Sequence, residues 1–231
     1  MLFAFETSAK AASVALFQDG KLLGENYQNT GLTHSQTLLT MAEDLLKNCG
    51  VTVQELTDVA VAAGPGSFTG VRIGVAAAKG LAWGKELPCW GVSTLEAMAL
   101  GLGVQDGYIL PTMDARRSQV YTALFLAENG VVSRVFEDSA IALTELKERI
   151  ANLDKPIFLV GDGSLLTYQT LGAEVSGLIL PPEHKMHQRA VGVGLAAFAA
   201  IARGDAGDAE ALAPNYLRLS QAERERLEKA K

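Results

Sequence analysis

Residues 57–84, around which the chain is organised, hold an arrangement that could bind an anion. Val59 to Ala63 is a short apolar run between turn residues, the mark of a buried strand. Gly64-Pro65-Gly66-Ser67 then forms a turn from residues that tolerate or pre-set unusual backbone angles. From Thr69 to Trp83 the chain reads as a helix. A strand, a glycine turn and a helix can hold phosphate, because a helix start offers unpaired N–H groups to an anion. Gly64, Gly66, Ser67 and Thr69 are therefore candidate anion or nucleotide contacts. The spacing matches no standard fingerprint. Gly64 is followed five residues later by Thr69, and Lys79-Gly80 reverses the order that a P-loop needs. A dinucleotide fingerprint would need glycine at position 69. A tight packing turn is the competing reading.

Asp114-Ala115-Arg116 closes the strand-like run 108–113, and strand ends facing a cleft are where open α/β sheets bind ligands. Asp114 and Arg116 are thus candidate ligand contacts; a local Asp/Arg ion pair is the alternative. Glu6-Thr7-Ser8 also ends a strand-like run. Nucleophilic catalysis has little support, since neither Ser67 nor Ser164 lies in Gly-x-Ser-x-Gly. Three histidines leave few bases for a triad. His34 lies in Thr33-His34-Ser35-Gln36, read as a capping box with His34 exposed in the first turn. His184 and His187 beside Glu183 resemble metal spacing, but they adjoin Pro181-Pro182 rather than sitting on a helix, and no metal is expected there.

The helix after the glycine turn is unusual. Between Gly70 and Trp83 its only charges are Arg72 and Lys79, and a helix apolar nearly all round is a buried one. It also carries Gly70, Gly74 and Gly80, each costing about 1 kcal/mol relative to alanine. Gly70, Gly74, Ala77, Ala78 and Leu81 make a mostly small stripe at helical spacing. The simplest reason for that cost is a second helix approaching along the stripe. Arg72 would anchor a carboxylate or phosphate there.

The elements that position these residues come twice. Residues 2–7, Ser13–Phe17 and Lys21–Gln28 read as strands, with Asp19-Gly20 as a hairpin turn. A helix over 33–49 follows, closed by Gly50. After the central strand and helix come a strand at Cys89–Val92 and a helix at Ser93–Leu100. Past the soft linker 101–107, strands at 108–113, 120–127 and 131–136 precede a helix over 144–152, a strand at 157–160, a short helix from Gly161-Asp162-Gly163-Ser164, a strand at 178–180 and an apolar helix at 188–202. The order β-β-β-α-β-α-β-α thus appears in each half, giving lobes expected at 1–104 and 105–231. The helix 188–202 is expected to pack back on the first lobe.

Composition bounds the function. The chain has 231 residues, 48% hydrophobic, and a net charge of −6, which argues against a free-standing nucleic-acid binder. Cys49 and Cys89 make neither a disulfide framework nor a zinc set. The start Met-Leu-Phe-Ala-Phe-Glu lacks a basic n-region, and no run is long enough to span a bilayer, so a cytoplasmic protein is expected.

Gly64-Pro-Gly-Ser-Phe-Thr-Gly-Val-Arg-Ile-Gly74 resembles the signature of the TsaB family, the dimerisation subunits of the bacterial tRNA threonylcarbamoyladenosine synthase. Ser13-Val-Ala-Leu16, His34-Ser35 with Leu38-Leu39, Gly91-Val-Ser-Thr-Leu95, Asp114-Ala-Arg116 with Val120-Tyr121, and Pro214 with Tyr216-Leu-Arg218 extend it to residue 218. The resemblance implies an actin-like α/β fold of two lobes, of the sugar kinase and Hsp70 type. It implies a non-catalytic scaffold that binds TsaD, with TsaE and, through the complex, tRNA as further partners. The complex modifies an adenosine beside the anticodon of tRNAs that read codons starting with A. It places the positions of TsaD's two metal-holding histidines at Thr94 and Met98, neither a credible ligand. The resemblance also puts Glu6 where actin-like proteins carry aspartate. No cofactor is expected on this chain alone; ATP or ADP and a metal belong to the partners. Gly70, Val71, Arg72, Ile73, Gly74, Val75, Ala77, Ala78 and Leu81 are the expected interface, with a homodimer through the same surface when TsaD is absent. The rivals are an actin-like ATPase or kinase with a nucleotide between the lobes and, behind it, a peptidase using Ser67 or His34.

Overall fold

The computed structural model describes residues 1–103 and 106–218. β1 (Leu2–Glu6), β2 (Ala12–Gln18) and β3 (Lys21–Gln28) form an antiparallel meander, followed by α1 (His34–Cys49), β4 (Asp58–Gly64), α2 (Phe68–Trp83), β5 (Cys89–Ser93) and α3 (Thr94–Gly101). The second half repeats this with β6 (Gly107–Asp114), β7 (Gln119–Glu128), β8 (Val131–Ala142), α4 (Leu143–Ile150), β9 (Ile157–Val160), α5 (Ser164–Leu171), β10 (Leu178–Ile179) and α6 (Ala190–Arg203). Each half builds one five-stranded sheet, in the orders β3-β2-β1-β4-β5 and β10-β9-β6-β7-β8. Read from its meander edge, the second order is the first repeated. In both, the first strand of the half lies at the centre and pairs in parallel with the strand after the next helix.

β1 is buried along its whole length, as a central strand covered on both faces must be. Its period of two divides the core. Phe3 and Phe5 point with Val14, Leu16, Val59 and Val61 to α1 and α2. Leu2 and Ala4 point with Ala15, Ala60 and Ala62 to α6, whose Ala190, Val193, Ala196 and Ala197 cover them. The small residues on that face let α6 sit close: a Cβ on Gly194 would lie 2.2 Å from the Phe17 ring. α3, from the first half, in turn packs Leu95, Met98 and Ala99 against Ile109, Met113 and Ala123 of the second sheet. α4 and α5 cover its other face through Leu143, Leu146, Ile150 and Leu171.

Two local expectations are corrected. Thr33 caps α1 without a side-chain hydrogen bond, so the box expected at 33–36 is not formed; the reciprocal box is Thr52 with Glu55, at a short 3-10 turn. β8 runs six residues past Phe136, to Ala142, and α4 begins at Leu143. The polar Glu137-Asp138-Ser139 disguised that extension, and an alternating burial pattern over 131–137 shows a strand with one wet face. Gln221 to Lys231, read as a charged helix or frayed end, lies outside the described residues. Among those described, no helix is long and apolar enough to cross a membrane.

Candidate functional site

A cleft of about 510 Å³ opens between the lobes, lined by Ser8 and Lys10 after β1, Gly66 to Thr69 at the start of α2, Asp114 to Arg116 after β6, Asp162, and Tyr216 to Arg218. It gathers every candidate anion contact except Gly64. Its floor is occupied by the chain itself. The Ser67 N–H donates to the Ser8 carbonyl at 2.6 Å, and the Ser67 hydroxyl accepts from the Gly70 N–H at 3.3 Å. Gly64, at φ 121°, has the Asn215 carbonyl where a side chain would stand, 2.3 Å from an added Cβ. Gly66 is pressed on Ser8 in the same way, at 2.5 Å. The glycine turn is thus a close-packed corner. Asp114 makes no ion pair with Arg116 among the described residues; its Oδ1 accepts the Arg116 backbone N–H at 2.7 Å, closing an Asx turn. Arg116, Arg117 and Ser118 follow with φ of 63°, 56° and 56°, three consecutive left-handed residues.

Glu6 ends β1 beneath the cleft, with no solvent exposure. One carboxylate oxygen accepts the Ser8 N–H at 2.6 Å and the other has no hydrogen-bond partner. Burial pushes its pKa up to about 7, against the opposing hydrogen bonds from Ser8. Burial raises Asp162 as well, held back by the Gln188 amide at 2.9 Å. A buried acid with a raised pKa binds more protons folded than unfolded. Stability therefore falls as pH rises from the unfolded value near 4.5 to about 7, and the loss is complete above that. Glu6→Gln is expected to remove this loss and to be more stable than the parent at pH 8 by about 2–3 kcal/mol, with little difference at pH 4.5. Urea unfolding of both proteins at the two pH values checks it.

The histidines do other work. His34 is half-buried rather than exposed, and its Nε2 bonds the Ala9 carbonyl at 2.7 Å, tying α1 to the β1–β2 loop. His187 faces Glu183 at 3.7 Å. Among the described residues no three His, Cys, Asp or Glu side chains are grouped to hold a metal. Thr94 and Met98 are both buried, Met98 within the core between α3 and the second sheet.

The glycine stripe of α2 faces the chain's own sheet. Gly70, Val71, Gly74, Val75 and Ala78 are buried, so five of the nine expected interface residues point inward. A Cβ on Gly70 would lie 2.1 Å from the Thr7 carbonyl oxygen, and one on Gly74 2.4 Å from the Thr7 hydroxyl. The close approach is real, but the neighbour is the turn after β1. Ile73, Ala77 and Leu81 are partly buried at the edge of the same core. The outward face carries Thr69, Arg72, Ala76, Gly80 and Trp83. Trp83 is 79% exposed, and a Cβ on Gly80 would meet nothing within 4 Å. Beside it α1 exposes Leu39 (60%), with Leu32 (57%) just before it. Ala76, Gly80, Trp83 and Leu39 were missed from sequence, although Ala76-Gly80 is itself a small pair at helical spacing.

In the segment after α6, Pro214 with Tyr216-Leu-Arg218 stood out in the sequence, but nothing there told where it packs. Residues 205–218 return across the first lobe as a strap. The Asn215 N–H donates to the Ala63 carbonyl at 2.6 Å. Lys79 donates to the carbonyls of Glu210 and Leu212 at 3.1 and 3.0 Å, so it turns away from the outer face of α2. Tyr216 stacks on Phe68, ring centroids 4.1 Å apart, and its hydroxyl accepts from Arg72 Nε at 2.7 Å. Arg218 then donates to the Ala115 carbonyl at 2.5 Å, reaching the second lobe.

Comparison with known proteins agrees with this architecture. A family model described as TsaD, tRNA N6-adenosine threonylcarbamoyltransferase, matches residues 28–225. A tRNA threonylcarbamoyladenosine biosynthesis protein TsaB from Bacillus subtilis is 34% identical over 235 residues, covering 100% of this chain and 99% of that protein. The solved structure of YeaZ from Pseudomonas aeruginosa superimposes with a TM-score of 0.76 at 29% identity, over 94% of this chain and 99% of that one. An activator of 2-hydroxyisocaproyl-CoA dehydratase from Clostridium difficile shares the fold alone, with a TM-score of 0.52 at 12% identity, over 88% of this chain and 96% of that one. The two-lobed α/β fold is actin-like.

Proposed function

The chain belongs to the TsaB family of tRNA threonylcarbamoyladenosine biosynthesis proteins, and from that footing we propose that it is a non-catalytic scaffold and activator that binds TsaD through the outward face of α1 and α2. The observation that carries the reading is an uncovered apolar helix face centred on Ala76 and Gly80 and ending in a Trp83 that is 79% exposed. A tryptophan left in water beside a side-chain-poor helix surface is the composition of a partner anchor, not of a solvated face. One family model describes TsaD and matches this chain. Two proteins of like fold can pair through like faces, much as the two halves of a symmetric dimer do. In that arrangement the first-lobe helices of each would form a four-helix layer, Ala76 and Gly80 letting the backbones approach. TsaE and the tRNA substrate join through TsaD, which carries the chemistry, and the same face pairs two copies of this chain when TsaD is absent.

Light scattering of the chain mixed with TsaD tests the reading. A species with the summed mass of the two chains is expected, and two unmixed peaks at micromolar concentration would refute it. Calorimetry of the isolated chain with ATP and magnesium addresses the rival enzyme reading of the cleft. Tight binding with turnover would favour that rival.

A further inference from the structure

On the reading that α2 meets TsaD, we infer that Arg72 is a preset receptor for one carboxylate on the partner, held in position by Phe68 and by Tyr216 of the strap. Arg72 is the charged residue of the outward face of α2, since Lys79 is bound to strap carbonyls. Its guanidinium carbon lies 4.1 Å from the Phe68 ring centroid and 5.6 Å from that of Tyr216. Nε is fixed by the Tyr216 hydroxyl at 2.7 Å. Among the described residues Arg72 pairs with no carboxylate. The edge bearing Nη1 and Nη2 is therefore left to a ligand, with the plane already set by the two rings.

That arrangement suits a fork-to-fork contact. An arginine whose plane and Nε are fixed loses less freedom when two parallel N–H donors meet two oxygens. The surroundings decide which anion. Ile73, Ala76 and Trp83 make the adjoining surface apolar, so the anion arrives on a protein face, as an Asp or Glu side chain of TsaD rather than a tRNA phosphate. An unpaired guanidinium buried under a partner would be costly, so the partner must supply the negative charge. The strap thereby takes a part in recognition: through Tyr216 it aims the one charge of the outer face of α2.

The test measures the affinity for TsaD by calorimetry, without tRNA, at two salt concentrations. Arg72→Ala is expected to weaken binding by about tenfold to a hundredfold. Arg72→Glu should weaken it at least about tenfold further, since like charges then meet. Tyr216→Phe, which keeps the ring and loses the acceptor, should cost only a few-fold. The parent's affinity should fall with salt more steeply than that of Arg72→Ala. Equal losses for Arg72→Ala and Arg72→Glu would reduce Arg72 to a packing role and overturn the inference. An effect seen only when tRNA is added would overturn it too, by assigning the arginine to phosphate. Parent-like binding by both Arg72 variants, with binding still lost on placing a bulky charge at Ala76, would sink this inference alone. Parent-like binding by all of them would sink the interface reading as well.

Discussion

Gly70→Ala is expected to destabilise the folded chain by about 3 kcal/mol or more, a drop in unfolding midpoint on the order of 10 °C. The new methyl would sit 2.1 Å from the Thr7 carbonyl oxygen. That oxygen belongs to backbone between β1 and β2, where Ser8 donates to Glu6 and accepts from Ser67. Little there can yield, and the Thr7 hydroxyl bond to the Gly70 carbonyl at 2.8 Å would go with it. Gly80→Ala is the matched control on the same helix. Nothing lies within 4 Å of its would-be Cβ, so the substitution should stabilise the helix by up to about 1 kcal/mol. Thermal unfolding of the pair, read by circular dichroism, separates the two stripes of α2. If Gly70→Ala melted like the parent, the inward-facing assignment of the glycine stripe would be wrong.

The second large effect is on binding. Ala76 sits at the middle of the outward face, one turn before Gly80 and two before Trp83. Arginine there leaves the fold untouched, because the position is exposed. In a complex it would thrust a long charged side chain into the part of the interface where the backbones come closest. Burying an unpaired charge and displacing a well-packed anchor each cost several kcal/mol. A loss of more than about a hundredfold in affinity for TsaD is expected.

Much of the fold was legible in the sequence because its signals are periodic. Asp19-Gly20 and Asn129-Gly130 mark the tight turns β2–β3 and β7–β8, and the apolar run Val59–Ala63 marks a central strand. These suffice for the doubled element order. What periodicity cannot say is which way a stripe faces. Gly70, Gly74 and Ala78 make the same small, helical pattern whether they meet a foreign helix or the turn at Thr7. Only the pairing of β1 with β4, which sets that turn under α2, decides it. Ala76 and Gly80 carried an equivalent signal, but the stripe read from the sequence ran through Gly70, Gly74, Ala77, Ala78 and Leu81 and left them out. Glu6-Thr7-Ser8 is legible as a polar strand end that could face a cleft, but nothing local says that Glu6 will be fully buried. The path of the strap was not legible for a different reason. Its contacts, Asn215 to Ala63, Tyr216 to Arg72 and Arg218 to Ala115, join residues more than a hundred apart through single bonds, and such contacts leave no repeat to detect.

Binding of TsaD through the outward face of α2 is tested most directly by a single titration. TsaD is titrated calorimetrically into the parent chain and into Ala76→Arg, whose melting curves are first shown to coincide. A saturable heat for the parent and none for the variant at the same concentrations is the predicted result; parent-like binding by Ala76→Arg would contradict it.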